Sequence, residues 1–170
     1  LIKSLKKYGI RKKTLKKDIL NIIKQNISKK NRYNHLLRIA LTKNIISISL
    51  RKRFAPKTDF NLRLVNIKRE KPQYKNLKYQ KILFYLSKLD NSRSDVALIS
   101  NKKILETGTS NIFFVKDEKL YIPKKNYYLG NTLKFFKRKI RNIVKKDIFI
   151  DSLMEYDEII LVGSGTGVVS

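Results

Sequence analysis

The sequence predicts an α+β fold, and three observations carry the prediction. Apolar residues recur at helical spacing in three separate stretches. Short apolar runs flank two-residue polar turns, as the strands of hairpins do. Strands and helices do not alternate in the regular order of a parallel β-α-β sheet. With 170 residues, 42% of them hydrophobic, the chain can bury a core, which excludes general disorder.

From the N-terminal side, Thr14 to Ile27 has the pattern of an amphipathic helix. Thr14 takes the N-cap position, and Leu15, Ile19, Ile22, Ile23 and Ile27 share one face. Two strands follow, Tyr33 to Thr42 and Ile45 to Leu50, with a turn at Lys43-Asn44. Phe54-Ala55-Pro56-Lys57-Thr58 breaks the pattern and makes the best linker. Phe60 to Ile67 reads as a strand, and residues 76–89 as a helix with Tyr79, Ile82, Leu83, Leu86 and Leu89 at helical spacing. Val96 to Ile99 and Ile104-Leu105 flank the turn Asn101-Lys102. Asn111 to Val115 and Lys119 to Ile122 flank Asp117-Glu118. Residues 133–146 have the spacing of another strong helix, with Leu133, Phe136, Ile140, Ile143 and Val144 inward. A short strand near Phe149, a brief helix near Leu153 and the strand Ile159 to Val162 lead into Gly163-Ser164-Gly165-Thr166-Gly167.

Charge is the dominant compositional feature: 40 Lys plus Arg against 13 Asp plus Glu, a formal +27. That balance admits a nucleic-acid-binding module. Against it, most of the basic residues are Lys, whereas specific readers favour Arg forks, and they occur in nearly every segment. Lys also shares A/T-rich codons with the abundant Ile and Asn, so a biased genome accounts for the charge without a ligand. Contacts with nucleic acid are therefore expected to be non-specific only. Cysteine is absent, which excludes disulfides, thiolate metal sites and a cysteine nucleophile. The single histidine, His35, excludes a His-rich metal site, and no metal is expected. No apolar run approaches the roughly 20 residues of a membrane helix. The first residues lack a signal-peptide pattern, and a cytoplasmic location is expected.

Four features could carry chemistry. Gly130-Asn131-Thr132 opens a helix, where backbone N–H groups favour an anion. Gly163 to Gly167 follows a strand and could cradle one too, although it lacks the Gly-Lys-Ser/Thr ending of a P-loop. Ordinary turns explain either feature taken alone. Lys75 lies just before the helix expected at 76–89, where positive charge is disfavoured and a neutral, nucleophilic amine is favoured; a solvated surface lysine is the bland alternative. Glu106 ends an apolar strand in a chain poor in acids. It is either a carboxylate satisfied by loop amides or a functional buried charge.

These pieces resemble a family. Leu105-Glu106-Thr107-Gly108-Thr109-Ser110-Asn111-Ile112-Phe113-Phe114-Val115 is similar to the central signature of the class-IV aminotransferases, pyridoxal-phosphate enzymes of fold type IV. Lys75-Asn76-Leu77-Lys78-Tyr79 resembles the segment carrying the Schiff-base lysine. Leu120-Tyr121-Ile122-Pro123 resembles the strand ending in Thr-Pro, and Leu129-Gly130-Asn131-Thr132 the Pro-Gly-Ile-Thr-Arg turn. Tyr156-Asp157-Glu158-Ile159 resembles the Ala-Asp-Glu-Val before the last phosphate-binding turn. These matches run in order from residue 75 onward, which makes them more specific than any single motif.

The resemblance implies a two-lobed enzyme with pyridoxal 5'-phosphate in the cleft and a homodimeric assembly. Residues 1–54 would be part of the small N-terminal lobe, 55–59 the linker and 60–170 most of the larger cofactor-binding lobe. Lys75 would be the catalytic lysine and cofactor attachment point, and Glu106 the partner of the pyridine nitrogen. Tyr79, one helical turn past Lys75, would bond the phenolic oxygen. Asn131, Thr132 and Ser164 would hold the phosphate, and Arg38 the substrate carboxylate. The sequence departs from the pattern at Lys78, where Asn is usual, and at Asn131 and Leu133, where the turn has Ile and Arg. A phosphate-binding arginine that relatives carry would fall just before Leu1, so a fragment cut at both ends is implied, with activity expected of the longer parent protein. The activity implied first is amino-group transfer between an amino acid and a 2-oxo acid. The runner-up is the 4-amino-4-deoxychorismate lyase reaction leading to 4-aminobenzoate and folate. The compact Lys75 to Tyr79 segment is closer to the lyase and D-amino-acid branches.

Overall fold

The computed structural model describes residues 2–10 and 13–170. The chain divides into two compact units, Leu1–Arg53 and Phe54–Ser170. In the first, helices α1 (Ile2–Lys7) and α2 (Leu15–Asn26) accompany an antiparallel hairpin of β1 (His35–Leu41) and β2 (Ile46–Lys52). Leu5, Leu15 and Ile19 form its core, and Ile39, Leu41, Ile46 and Ile48 of the hairpin pack against them. The Thr14 hydroxyl donates to Asp18 at 3.0 Å and caps no backbone amide.

The second unit contains two sheets. One has the order β3 (Asn61–Val65), β4 (Ser94–Ser100), β5 (Lys103–Thr107), β9 (Ile148–Phe149). The other runs β11 (Gly167–Val169), β10 (Glu158–Gly163), β6 (Asn111–Lys116), β7 (Lys119–Pro123), β8 (Ile143–Lys146). Within the two sheets, only β3–β4 and β7–β8 pair in parallel. Helix α3 (Gln80–Leu86) covers Val65, Val96 and Leu98, and α4 (Asn131–Lys139) sets Leu133 against Phe113, Ile122 and Val162.

Strand β6 shows why an unbroken apolar run appears here. Alternate side chains leave opposite faces of a strand. Ile112 and Phe114 enter a core with Ile104, Ile148 and Leu161, while Phe113 enters the core under α4. Both faces are covered, so the strand needs no polar alternation. Both expected two-residue hairpins form with positive φ at each central residue: 51° and 59° at Asn101 and Lys102, 49° and 59° at Asp117 and Glu118.

Two helices are shorter than their spacing predicts. Residues 76–79 are not helical, because the Asn76 side chain is committed to the loop: its Oδ1 accepts from Lys78 N–H at 2.9 Å and its Nδ2 donates to the Glu70 carbonyl at 2.8 Å. Such local bonds compete with a helix start. The expected helix at 133–146 ends at Lys139, and residues 143–146 form β8 beside β7. Lys137, Arg138 and Lys139 suit a helix C-terminus, but continuing would put Arg141 one turn beyond Lys137 as a like-charge pair. The branched Ile143 and Val144 pair instead with the open edge of β7.

Candidate functional site

The chain passes from the four-stranded to the five-stranded sheet through residues 106–111, and the site is built around this passage. Glu106, at the end of β5, is only 3% exposed. Its Oε1 accepts from Arg69 Nε at 2.8 Å and its Oε2 from the Tyr128 backbone N–H at 3.1 Å. Burial pushes its pKa up, while the Arg69 charge and the two hydrogen bonds act in the opposite direction without cancelling the rise.

Arg69 also donates to the Gly108 carbonyl at 3.2 Å, so it clasps the residues on both sides of Thr107. The loop that carries Lys75 begins at the next residue. Glu70 closes its base, accepting from Asn76 through its carbonyl and from Lys78 Nζ through its carboxylate at 2.9 Å. The Lys75 Nζ lies 5.7 Å from the centre of the Tyr128 ring. One residue, Tyr128, therefore meets Lys75 with its ring and Glu106 with its amide.

Asn111 fixes the stretch that follows. Its Nδ2 donates to the Tyr128 carbonyl at 2.6 Å, and its Oδ1 accepts from Gly130 N–H at 3.1 Å. A Cβ at Gly130 would stand 2.8 Å from that Oδ1, so only glycine permits the approach. Gly130 is the N-cap of α4 and Asn131 and Thr132 are its first residues; no side chain caps them, which leaves first-turn N–H groups available to an anion. On the other side, the Ser110 and Thr166 hydroxyls bond at 2.7 Å, tying the Gly163–Gly167 turn to the passage. Ser164 is exposed on that turn.

The structure thus gathers Lys75, Glu106, the start of α4 and the glycine turn around residues 106–111. Tyr79 is the N-cap of α3 and packs half-buried against the core of Ile82 and Val96. It is not one helical turn past Lys75, and Lys75 does not sit at a helix N-terminus, since α3 starts at Gln80. Arg38 lies exposed on β1 of the first unit, opposite Ser49. No motif singles out Arg69, one basic residue among 40, and none ties Tyr128 to Lys75 or Glu106. Asn111 stood within the quoted signature without a role.

The mixed sheets and few helices are the architecture of the fold-type-IV pyridoxal-phosphate enzymes. The family model described as amino-transferase class IV matches residues 1–170, and the chain belongs to that family. No curated protein matches it. Among solved structures, the branched-chain amino acid aminotransferase of Escherichia coli is similar at a TM-score of 0.73 and 16% identity, with 98% of this chain and 66% of that one covered. The 4-amino-4-deoxychorismate lyase of Pseudomonas aeruginosa is similar at 0.69 and 16%, with 99% and 73% covered. An aminotransferase from Brucella abortus, solved bound to pyridoxal phosphate, is similar at 0.56 and 19%, with 72% and 48% covered.

Proposed function

We propose that this site binds pyridoxal 5'-phosphate and transfers an amino group between an amino acid and a 2-oxo acid. The observation that carries the proposal is the Glu106–Tyr128–Lys75 arrangement: a buried carboxylate and a lysine amine engaged by one residue. The donor set fits the cofactor chemically. Glu106 uses two acceptor positions and has others left for a ring N–H. The uncapped start of α4 and the glycine turn supply N–H groups suited to a phosphate.

When bound, the cofactor supplies a carbonyl carbon for amines and a pyridine ring that accepts electrons. Glu106 holds the proton on the ring nitrogen, and the Arg69 charge beside it favours the ionised form of that carboxylate against the effect of burial. Lys75 provides the attachment amine and then carries the proton to and from the substrate Cα. Asn131, Thr132 and Ser164 hold the phosphate, and Tyr79 the phenolic oxygen. The protein acts in the cytoplasm as a homodimer.

The short Lys75 to Tyr79 segment supports a second reading, the elimination of pyruvate from aminodeoxychorismate. One experiment separates the two. The intact protein is mixed with pyridoxal phosphate, its visible absorption band recorded, and the complex assayed with a panel of amino acids and with aminodeoxychorismate. Amino transfer supports the first reading and release of 4-aminobenzoate the second. Absence of the band overturns both.

A further inference from the structure

The most deeply buried acid in the second unit has no part in the chemistry above. Asp95, on β4, is 2% exposed, and no Lys or Arg among the described residues pairs with it. A buried carboxylate without a cation persists only when donors surround it. Here four hydrogen bonds do so. Oδ1 accepts from Val96 N–H at 2.7 Å. Oδ2 accepts from the Thr107 hydroxyl at 2.7 Å, the Thr109 hydroxyl at 2.7 Å and the Thr109 N–H at 3.2 Å.

Three of these four donors belong to the turn between Glu106 and Ser110. The same turn is tied to β4 by Gly108 N–H donating to the Val96 carbonyl at 2.8 Å. A Cβ at Gly108 would lie 2.8 Å from the Asp95 carboxylate, so the backbone passes directly against it. One end of the turn presents Glu106, and the other presents Ser110 with its bond to Thr166 in the glycine turn.

We propose that Asp95 is a positioning residue: it pins the Thr107–Ser110 turn, and so fixes the spacing between Glu106 and the Gly163–Gly167 turn that a ligand with both a pyridine ring and a phosphate must match. This rests on the pyridoxal-phosphate reading. Two binding groups act together on one ligand only when their separation is held. Losing the pin therefore weakens the two-part ligand more than either part.

The test compares wild type and Asp95→Asn for binding of pyridoxal phosphate, pyridoxal and inorganic phosphate, with folding checked by thermal unfolding. The amide keeps the shape but is uncharged and has one acceptor oxygen in place of two, so it cannot accept from both the Val96 N–H and the turn donors. Pyridoxal phosphate should bind about 10- to 100-fold more weakly, the range for charge-assisted hydrogen bonds, and each half-ligand within about threefold of wild type. Unchanged binding of pyridoxal phosphate, or equal losses for all three ligands, overturns the proposal. Should Asp95→Asn not fold, Thr109→Val and Thr109→Ser decide. Valine loses a donor to Asp95 and should weaken pyridoxal phosphate several-fold, whereas serine keeps it and should restore binding; equal effects overturn the proposal. A wild type that binds pyridoxal but not pyridoxal phosphate refutes the spacing role, and one that binds neither refutes the cofactor reading beneath it.

Discussion

The Lys75 amine stands 5.7 Å from the centre of the Tyr128 ring, and the amide of that same tyrosine donates to Glu106. The ring contact is worth about 0.5–1 kcal/mol at an exposed site, so it orients the lysine without immobilising it. Tyr128→Leu keeps the backbone bond to Glu106 and removes the ring. Cofactor attachment should weaken by about two- to fivefold, measured by titrating the visible band.

Lys75→Ala removes the attachment amine and the proton carrier together. Turnover should fall by at least the factor of about 10²–10⁴ typical of general acid–base catalysis. The lysine-attached absorption band should vanish too. Near-normal turnover would move the role elsewhere, with Lys78 the first position to test.

Glu106→Gln tests both catalysis and titration. The cofactor should still attach while turnover slows, because a neutral amide does not favour a protonated ring nitrogen. Burial holds the Glu106 pKa above its ordinary value of 4.5 in the folded protein. The associated stability is full below 4.5 and is lost as the pH rises through the raised value. The stability of wild type minus that of Glu106→Gln, from urea unfolding of the cofactor-free protein, should therefore decline with rising pH across that window. A flat or rising difference would contradict the raised pKa.

Arg69→Met strips the buried carboxylate of its cation. The cost should be about 3 kcal/mol near neutral pH and smaller in acid, where Glu106 can take up a proton. Combining Arg69→Met with Glu106→Gln should recover part of the loss, since the two side chains form one pair. Strictly additive costs would show that the pair is not coupled.

Polyanion binding offers a further check. With a formal charge of +27, the protein should bind heparin or single-stranded nucleic acid at low salt. Affinity should fall steeply and linearly in log salt, with no sequence preference. Tight sequence-selective binding at physiological salt, without cofactor binding, would favour the nucleic-acid module instead.

Sequence patterns identified most elements because each signal was local. The hairpin turns at Asn101-Lys102 and Asp117-Glu118 carry residues that can adopt positive φ, and Leu15 and Ile19 mark the inner face of α2. The misjudged boundaries depended on distant partners. Residues 143–146 kept helical spacing, yet an unpaired edge of β7 claimed them. Residues 76–79 were apolar enough for a helix, yet Asn76 was engaged by Glu70. At the site, Lys75, Glu106, Asn131, Thr132 and Ser164 could be singled out from motifs. Arg69 and Asp95 could not, because their importance lies in hydrogen bonds across 37 and 12 to 14 positions of chain.

The two-sided packing of β6 restricts where the chain can change length. One residue added to or lost from the passage between Glu106 and Asn111 would slip β6 in register and exchange its faces. Ile112 and Phe114 would then meet the α4 side, and Phe113 would meet the core of Ile104 and Leu161. Asn111 would turn away from Tyr128 and Gly130 in the same move. Insertions and deletions are therefore closed out of this passage, and divergence in loop length is directed to the hairpin tips at 101–102 and 117–118.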